Sequence, residues 1–283
     1  LAEITYRTMT TADIEAGLRL CRAARWNQLR RDWEMFIARS PEGCRVACSN
    51  GEVVGTSATI RYGGRFSWVG MVLVDPTQRG QGTGTRLLVE ALDVLKDEAS
   101  VRLDATPAGE RIYRNFEFRE EYWLSRMQTT VGKVDPIALP EARRADAGDL
   151  PAIARLDSEV FGADRGFLLE WLLEGAPEYA WVCGDGSAVT GYVFGRHGFN
   201  YEHLGPLVAQ TPELARALLS ASLAQLAGRN VILDAPRSAP TWLDWLGSLG
   251  FVEQRPFIRM YKGSLDFPGI PGLQYAILGP EFG

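Results

Sequence analysis

Apolar residues recur at helical spacing over Thr85–Lys96, where Leu88, Ala91, Leu92 and Leu95 share one face; this predicts an amphipathic helix. Upstream, Val53–Tyr62 and Phe66–Val74 are rich in β-branched and aromatic residues and are joined by Gly63-Gly64, which predicts two strands and a tight hairpin turn. Arg45–Ala47, Val101–Ala105 and Glu121–Met127 predict further strands. Asp13–Leu20, behind a Thr-Thr-x-Asp cap signal, Arg31–Ala38 and Glu110–Asn115 predict helices. The order is mixed, and it implies a mostly antiparallel sheet with a strand–loop–helix in its middle. This is an α+β arrangement.

The pattern occurs twice. Phe118-Arg-Glu-Glu-Tyr-Trp-Leu-Ser-Arg-Met127 aligns with Phe251-Val-Glu-Gln-Arg-Pro-Phe-Ile-Arg-Met260, matching Phe, Glu, Arg and Met at the same offsets. Leu103-Asp104-Ala105 repeats as Leu233-Asp234-Ala235, Cys48-x-x-Gly51 as Cys183-x-x-Gly186, and Val69-Gly70 as Leu204-Gly205. All offsets fall between 130 and 136 residues, in one order, which implies a tandem duplication. The predicted division is residues 1–133, residues 138–263, and a Pro/Gly-rich tail over 264–283. The boundary follows from the Gly/Pro stretch Val131–Pro136. Because the tail carries Tyr275, Ile277, Leu278 and Phe282, it is expected to dock on the body.

A length of 283 residues suits two domains, and 46% hydrophobic with 23% charged residues is ordinary for a globular chain. The longest apolar run, near Val69–Val74, is far short of a membrane span, so no membrane partner is expected. Thirty basic against 35 acidic residues, with no basic block longer than two, argues against nucleic acid. Cys21, Cys44, Cys48 and Cys183 form no CxxC pair, and with only His197 and His203 beside them no metal site is expected. Scattered cysteines read as reduced, buried thiols, and the opening residues show no charged-then-apolar leader. The expectation is a cytoplasmic protein.

The most specific chemistry lies in Asp75-Pro-Thr-Gln-Arg79-Gly80-Gln81-Gly82-Thr83-Gly84-Thr85, between an apolar strand and the clearest helix. Alternate glycines at a helix start let backbone N–H groups and the helix dipole approach an anion, and Arg79 can add a charge-assisted bond. A P-loop needs Lys-Ser/Thr after the last glycine, where Thr85-Arg86 stands; a dinucleotide loop needs glycine where Thr85 stands. The remaining pattern, Arg-x-x-Gly-x-Gly behind a Val-Asp-Pro strand end, resembles the pyrophosphate loop of the GNAT acyltransferases. Tyr113-Arg-Asn-Phe-Glu-Phe118 is similar to the family's Tyr ahead of a Gly-Phe pair, with Glu117 in place of the glycine. Thr106 stands where many members carry a pantetheine-contacting Asn. Trp26–Trp33 and Leu103–Gly109 resemble a bacterial subgroup of tandem GNATs of the YitH type.

That resemblance implies two tandem GNAT folds and an N-acetyltransferase that uses acetyl-CoA as cosubstrate, without a metal. An amine on a small-molecule acceptor would attack directly in a ternary complex. A non-catalytic CoA-binding sensor or interaction module on the same fold is the alternative. The implied cofactor-binding residues are Met71, Val72, Val74, Arg79, Gly80, Gln81, Gly82, Thr83, Gly84, Thr85 and Thr106, with backbone N–H groups at Met71 and Val72 facing the developing oxyanion. Tyr113 is the implied general acid, with a helix tyrosine packed on the sheet as the competing interpretation. Asp104 and Asp32 are candidate bases, although Asp104 equally fits a helix-cap acceptor. Trp26 and Asn27 are assigned to the acceptor pocket, while the Trp26/Trp33 spacing also fits core packing; His197 and His203 read as strand-surface residues. In the second copy Gln210-Thr-Pro212 replaces the glycine loop, so that half is expected to keep the fold, lose the CoA site and shape the acceptor pocket or a lid.

Overall fold

A computed structural model describes residues 3–139, 141–184 and 188–283; Gly186 of the repeated Cys-x-x-Gly lies outside the described residues. The first half runs β1 (Ile4–Thr8), α1 (Ile14–Ala23), α2 (Arg30–Arg39), β2 (Arg45–Ser49), β3 (Glu52–Tyr62), β4 (Phe66–Val74), α3 (Thr83–Val94), β5 (Ser100–Ala105), α4 (Pro107–Arg114) and β6 (Arg119–Thr130). The second repeats the order as β7 (Ala142–Arg144), α5 (Leu150–Phe161), α6 (Gly166–Gly175), β8 (Trp181–Cys183), β9 (Gly191–Arg196), β10 (Glu202–Ala209), α7 (Pro212–Leu223), β11 (Asn230–Pro236), α8 (Pro240–Ser248) and β12 (Val252–Gly263), followed by β13 (Gln274–Ala276). The repeat extends to a local ion pair, Arg7 on Asp13 at 2.7 Å and Arg143 on Asp149 at 2.5 Å.

Two helices start earlier than the apolar pattern indicates, each for a capping reason. α3 begins at Thr83 behind Gly82, whose φ of +83° is left-handed and costs glycine little. α4 begins at Pro107, a residue suited to a first helical position, while the Thr106 side chain accepts from Gly109 N at 3.3 Å.

Among the described residues the strands join one sheet in the order β1-β2-β3-β4-β5-β12-β6-β11-β10-β9-β8-β7, with β13 on β10. Only the β4/β5 and β10/β11 pairs are parallel. The order reveals an exchange. β12 of the second half pairs with β5 of the first, Ile258 opposite Ala105, and β6 of the first half pairs with β11 of the second, Leu233 opposite Met127. β12 and β6 also pair with each other, so the sheet crosses from half to half three times.

β4 and β5 stay paired only at Ser67–Val101 and Trp68–Arg102. Beyond that point β4 carries a register shift against β3, with Met71 at φ +55°, and the two strands splay. β10 and β11 likewise pair only at Glu202–Val231 and His203–Ile232. There the tail enters the splay: β13 pairs with β10 at Leu207–Ala276, and Ile277 N donates to Asp234 O at 2.9 Å. Tyr275, Ile277, Leu278 and Phe282 of this tail are buried. The largest apolar cluster also spans the halves, joining Trp33, Phe36, Tyr62 and Trp68 to Phe161, Leu172 and Phe194.

A fragment of residues 1–133 lacks β12 and leaves one edge of β5 and both edges of β6 unpaired. It is expected to show no cooperative urea transition alone and to regain one when mixed with residues 138–283. A native-like transition of the fragment alone would show that the exchange is dispensable.

Candidate functional site

The glycine loop forms one end of a groove of about 1740 Å³, open mouth included, on the first half. Gly80 and Gly82 sit at φ +77° and +83°, and a Cβ built on either meets no atom within 4 Å. Space beside the backbone at the start of α3 is therefore open to a ligand, as anion binding at a helix N-terminus requires. Thr83 Oγ1 is buried there without a hydrogen-bond partner, and Arg79 Nε donates to Val74 O at 3.2 Å, which anchors the arginine beside the loop. Val72, Val74, Arg79, Gly80, Gly82, Thr83, Gly84, Thr85 and Thr106 all line this groove; Gln81 is exposed outside it.

Behind it lies a recess of about 640 Å³, open mouth included, where the first half meets the second. Met71, Asn27 and Asp104 line the recess alone, while Trp26, Val72, Thr106 and Tyr113 line both spaces. Tyr113 projects from α4 with its ring edge-on to Phe118 at 5.9 Å, and burial pushes its phenol up to about 12. Glu117, where the resembled family carries glycine, stands at φ +66°, which explains why glycine suits that turn. It forms an ion pair with Lys262 of β12.

The carboxylates do not support a base. The Asp104 side chain is fully buried, and its two oxygens accept from Arg259 Nε and Nη2 at 2.9 Å each. The duplicated pair, Arg126 of the first half on Asp234 of the second at 2.7 Å twice, crosses the halves in the opposite sense. The same engagement in both copies favours a structural role for Asp104 over a base, and α4 is capped by Thr106, not by Asp104. Asp32 is equally taken: it pairs with Arg196 and accepts from Leu29 N at 2.6 Å. Trp33 is core, in contact with Phe36, whereas Trp26 walls both spaces.

One further expectation changes. His203 is not a strand-surface residue: it is 1% exposed, with Nε2 at 3.1 Å from Asp234 and Nδ1 at 3.2 Å from Arg196, and burial lowers its pKa. Asn27 lines the recess, but its side chain is committed to the loop after β9. It accepts from Asn200 N and Tyr201 N at 2.9 and 3.0 Å and donates to Tyr201 O at 2.9 Å. Beyond Val69, Gly70 and Leu103 on β4 and β5, the recess residues absent from the sequence-based assignment are Gln28, Arg126, Arg255, Phe257, Pro280 and Glu281. Most come from β12 and the tail, which only long-range pairing brings here. The four cysteines are free and buried. Among the described residues no helix is long and apolar enough to cross a membrane, and no cluster of three or more His, Cys, Asp or Glu is placed to hold a metal.

Two family models match the chain, one described as the acetyltransferase (GNAT) family over residues 12–118 and one as an acetyltransferase (GNAT) domain over residues 153–276. The chain is 28% identical over 242 residues to holothin acyltransferase of Pseudoalteromonas sp. (strain SANK 73390), covering 85% of this chain and 82% of that one. It is 23% identical over 272 residues to the uncharacterized N-acetyltransferase YitH of Bacillus subtilis (strain 168), covering 94% of each. A crystal structure of an acetyltransferase candidate from Pyrococcus horikoshii superposes with a TM-score of 0.83 over 99% of this chain and 96% of that one; at 22% identity this is a likeness of fold.

Removing one member of a buried ion pair strands the other, at a cost of about 3–5 kcal/mol. Asp104→Asn and Asp234→Asn are each expected to lose about that much stability in urea unfolding. An Asp104→Asn variant of unchanged stability whose turnover falls a hundredfold would restore Asp104 as a base.

Proposed function

The chain belongs to the GNAT acetyltransferases as two GNAT domains in tandem and is an acyltransferase; from that premise we propose that it moves an acetyl group from acetyl-CoA to the amine of a small-molecule acceptor, by direct attack while both are bound. We divide it into residues 1–133, which bind acetyl-CoA, residues 138–263, which do not, and the docked tail 264–283. The observation that carries the reading is the wall formed by Trp26, Val72, Thr106 and Tyr113. These residues face the glycine-loop groove on one side and the recess on the other, as a donor and an acceptor meeting at one point require.

The residues fit the donor. The left-handed Gly80 and Gly82, the first N–H groups of α3, Arg79 and the orphaned Thr83 hydroxyl suit a pyrophosphate. The splay between β4 and β5 leaves backbone free for the pantetheine arm, with the N–H groups around Met71 and Val72 stabilising charge that develops on the acyl oxygen. Bound acetyl-CoA supplies a thioester carbonyl; the amine forms the new C–N bond as the C–S bond breaks. Tyr113 Oη protonates the departing sulfur. With both candidate carboxylates in ion pairs, the amine proton passes to water.

The second half supports a single donor site. It has no glycine loop, and β13 fills the splay between β10 and β11. A sensor without turnover is disfavoured by Tyr113 standing where donor and acceptor spaces touch.

Tyr113→Phe should lower turnover about a hundredfold with acetyl-CoA affinity nearly unchanged; turnover within twofold of wild type would refute the acid. A general acid works only while protonated, so a phenol raised to about 12 should leave turnover without an alkaline fall between about pH 8 and pH 10. Gly82→Val introduces a branched side chain at φ +83° and fills the anion's approach. Calorimetry should find one acetyl-CoA per chain in the wild type and none in the variant. Equal affinity in both would remove the loop from the donor site.

A further inference from the structure

Most polar groups that line the recess are already engaged. Asp104 is held by Arg259, Arg126 by Asp234, and Glu281 by Arg196 and Gln28 Nε2. Two groups are not. Gln28, 6% exposed, keeps Oε1 buried without a partner. Arg255 lies beside Phe257, 5.1 Å from guanidinium to ring centroid, with its Nε buried and unbonded; among the described residues it has no hydrogen bond or ion pair.

Arg255 also lines a second, outer groove of about 1220 Å³, open mouth included, which shares Arg255 with the recess and Ala24 and Arg25 with the glycine-loop groove. Arg22 and Arg25 line it too. Arg22 is stacked 3.6 Å over the Phe199 ring and Arg25 sits at φ +56°, and no carboxylate contributes to that lining. On a chain with a net charge of −5, three arginines without an acid at one mouth are a local reversal of sign. Burial lowers the Arg255 guanidinium to about 10, so it is still a cation at neutral pH, and a desolvated cation gains most from an anion. The guanidinium fork suits a planar or tetrahedral oxyanion.

Resting on the acetyl-transfer reading above, we infer that the acceptor is an amine that also carries an oxyanion group, a carboxylate or a phosphate, which Arg255 binds at the inner end of the basic groove while Gln28 Oε1 accepts from an N–H of the same molecule. Arg255 is thus a specificity-determining residue contributed by the second half to a reaction in the first.

The products of the reaction serve as probes without turnover. The full-length, CoA-saturated protein is titrated calorimetrically with N-acetylglycine, N-acetyl-β-alanine and N-acetyl-γ-aminobutyrate, their primary amides, and N-acetylaminoethyl phosphate. At least one anionic probe should bind at least tenfold tighter than its neutral counterpart, N-acetylethanolamine serving as that of the phosphate. Arg255→Gln should bring the ratio within twofold, and Arg255→Lys should keep part of it, with CoA affinity unchanged in both. A tighter carboxylate or a tighter phosphate identifies the source of the anion. Equal binding of anionic and neutral probes, no binding by any of them, or a preference that survives Arg255→Gln would overturn the inference. Failure of CoA itself to bind would refute the donor site instead, and the anion-to-neutral ratio is then read on the CoA-free protein.

Discussion

Two crossed ion pairs set the frame of this molecule. Arg126 of the first half reaches Asp234 of the second, and Arg259 of the second reaches Asp104 of the first, all four nearly or fully buried. Burying such charges costs several kcal/mol per ion before attraction and hydrogen bonds offset it, so the pairs are poor evidence of extra stability. Register is what they specify. A slip of one residue along β6 or β12 turns the guanidinium to the opposite face, and a slip of two carries it about 7 Å past its carboxylate. Either leaves a buried Asp and a buried Arg unpaired. Both pairs lie where strands are exchanged, so the seam between the halves tolerates little misalignment.

That seam lets one duplicated frame hold two different clefts. The sheet splays after two residue pairs in both halves, which exposes unpaired backbone in both. In the first half the splay faces the glycine loop and stays open to a ligand. In the second half β13 pairs with β10, and Ile277 N reaches Asp234 O, so the chain satisfies its own backbone. The tail then continues to the first half, where Trp68 Nε1 donates to Pro280 O at 2.9 Å and Glu281 enters the recess. One segment closes one cleft and walls the other.

Features that depend on a few adjacent residues were legible in the sequence. The glycine loop needs left-handed backbone at Gly80 and Gly82, a local demand that only a few residue types meet, and the apolar face of α3 has a period that announces itself. The duplication was legible because both copies keep the same residues at nearly the same offset. Partnership across the chain was not. Asp104 looked like a base or a cap because nothing within its own half names Arg259, 155 residues away. His203 looked superficial because burial of a polar residue becomes tolerable only once Arg196 and Asp234 flank it. β13 has three residues in a Pro/Gly-rich tail, too short for any periodicity to show. The aligned Arg126/Arg259 and Asp104/Asp234 did carry the signal: opposite charges conserved between two copies of one pattern imply that they meet.

What a second half without a glycine loop supplies follows from β12. Residues 255, 257 and 259 share one face of this strand, with no register shift between them against β6. Arg259 is spent on Asp104, Phe257 walls the recess, and Arg255 stands at its mouth with a side chain that makes no hydrogen bond or ion pair among the described residues. Structural charge and pocket charge therefore sit four residues apart on the same strand, and the former holds the latter in place. Deleting the second half would open the sheet beside β5 and remove two walls of the recess at once. The second half carries no glycine loop, yet its β12 is the strand that stands between β5 and β6.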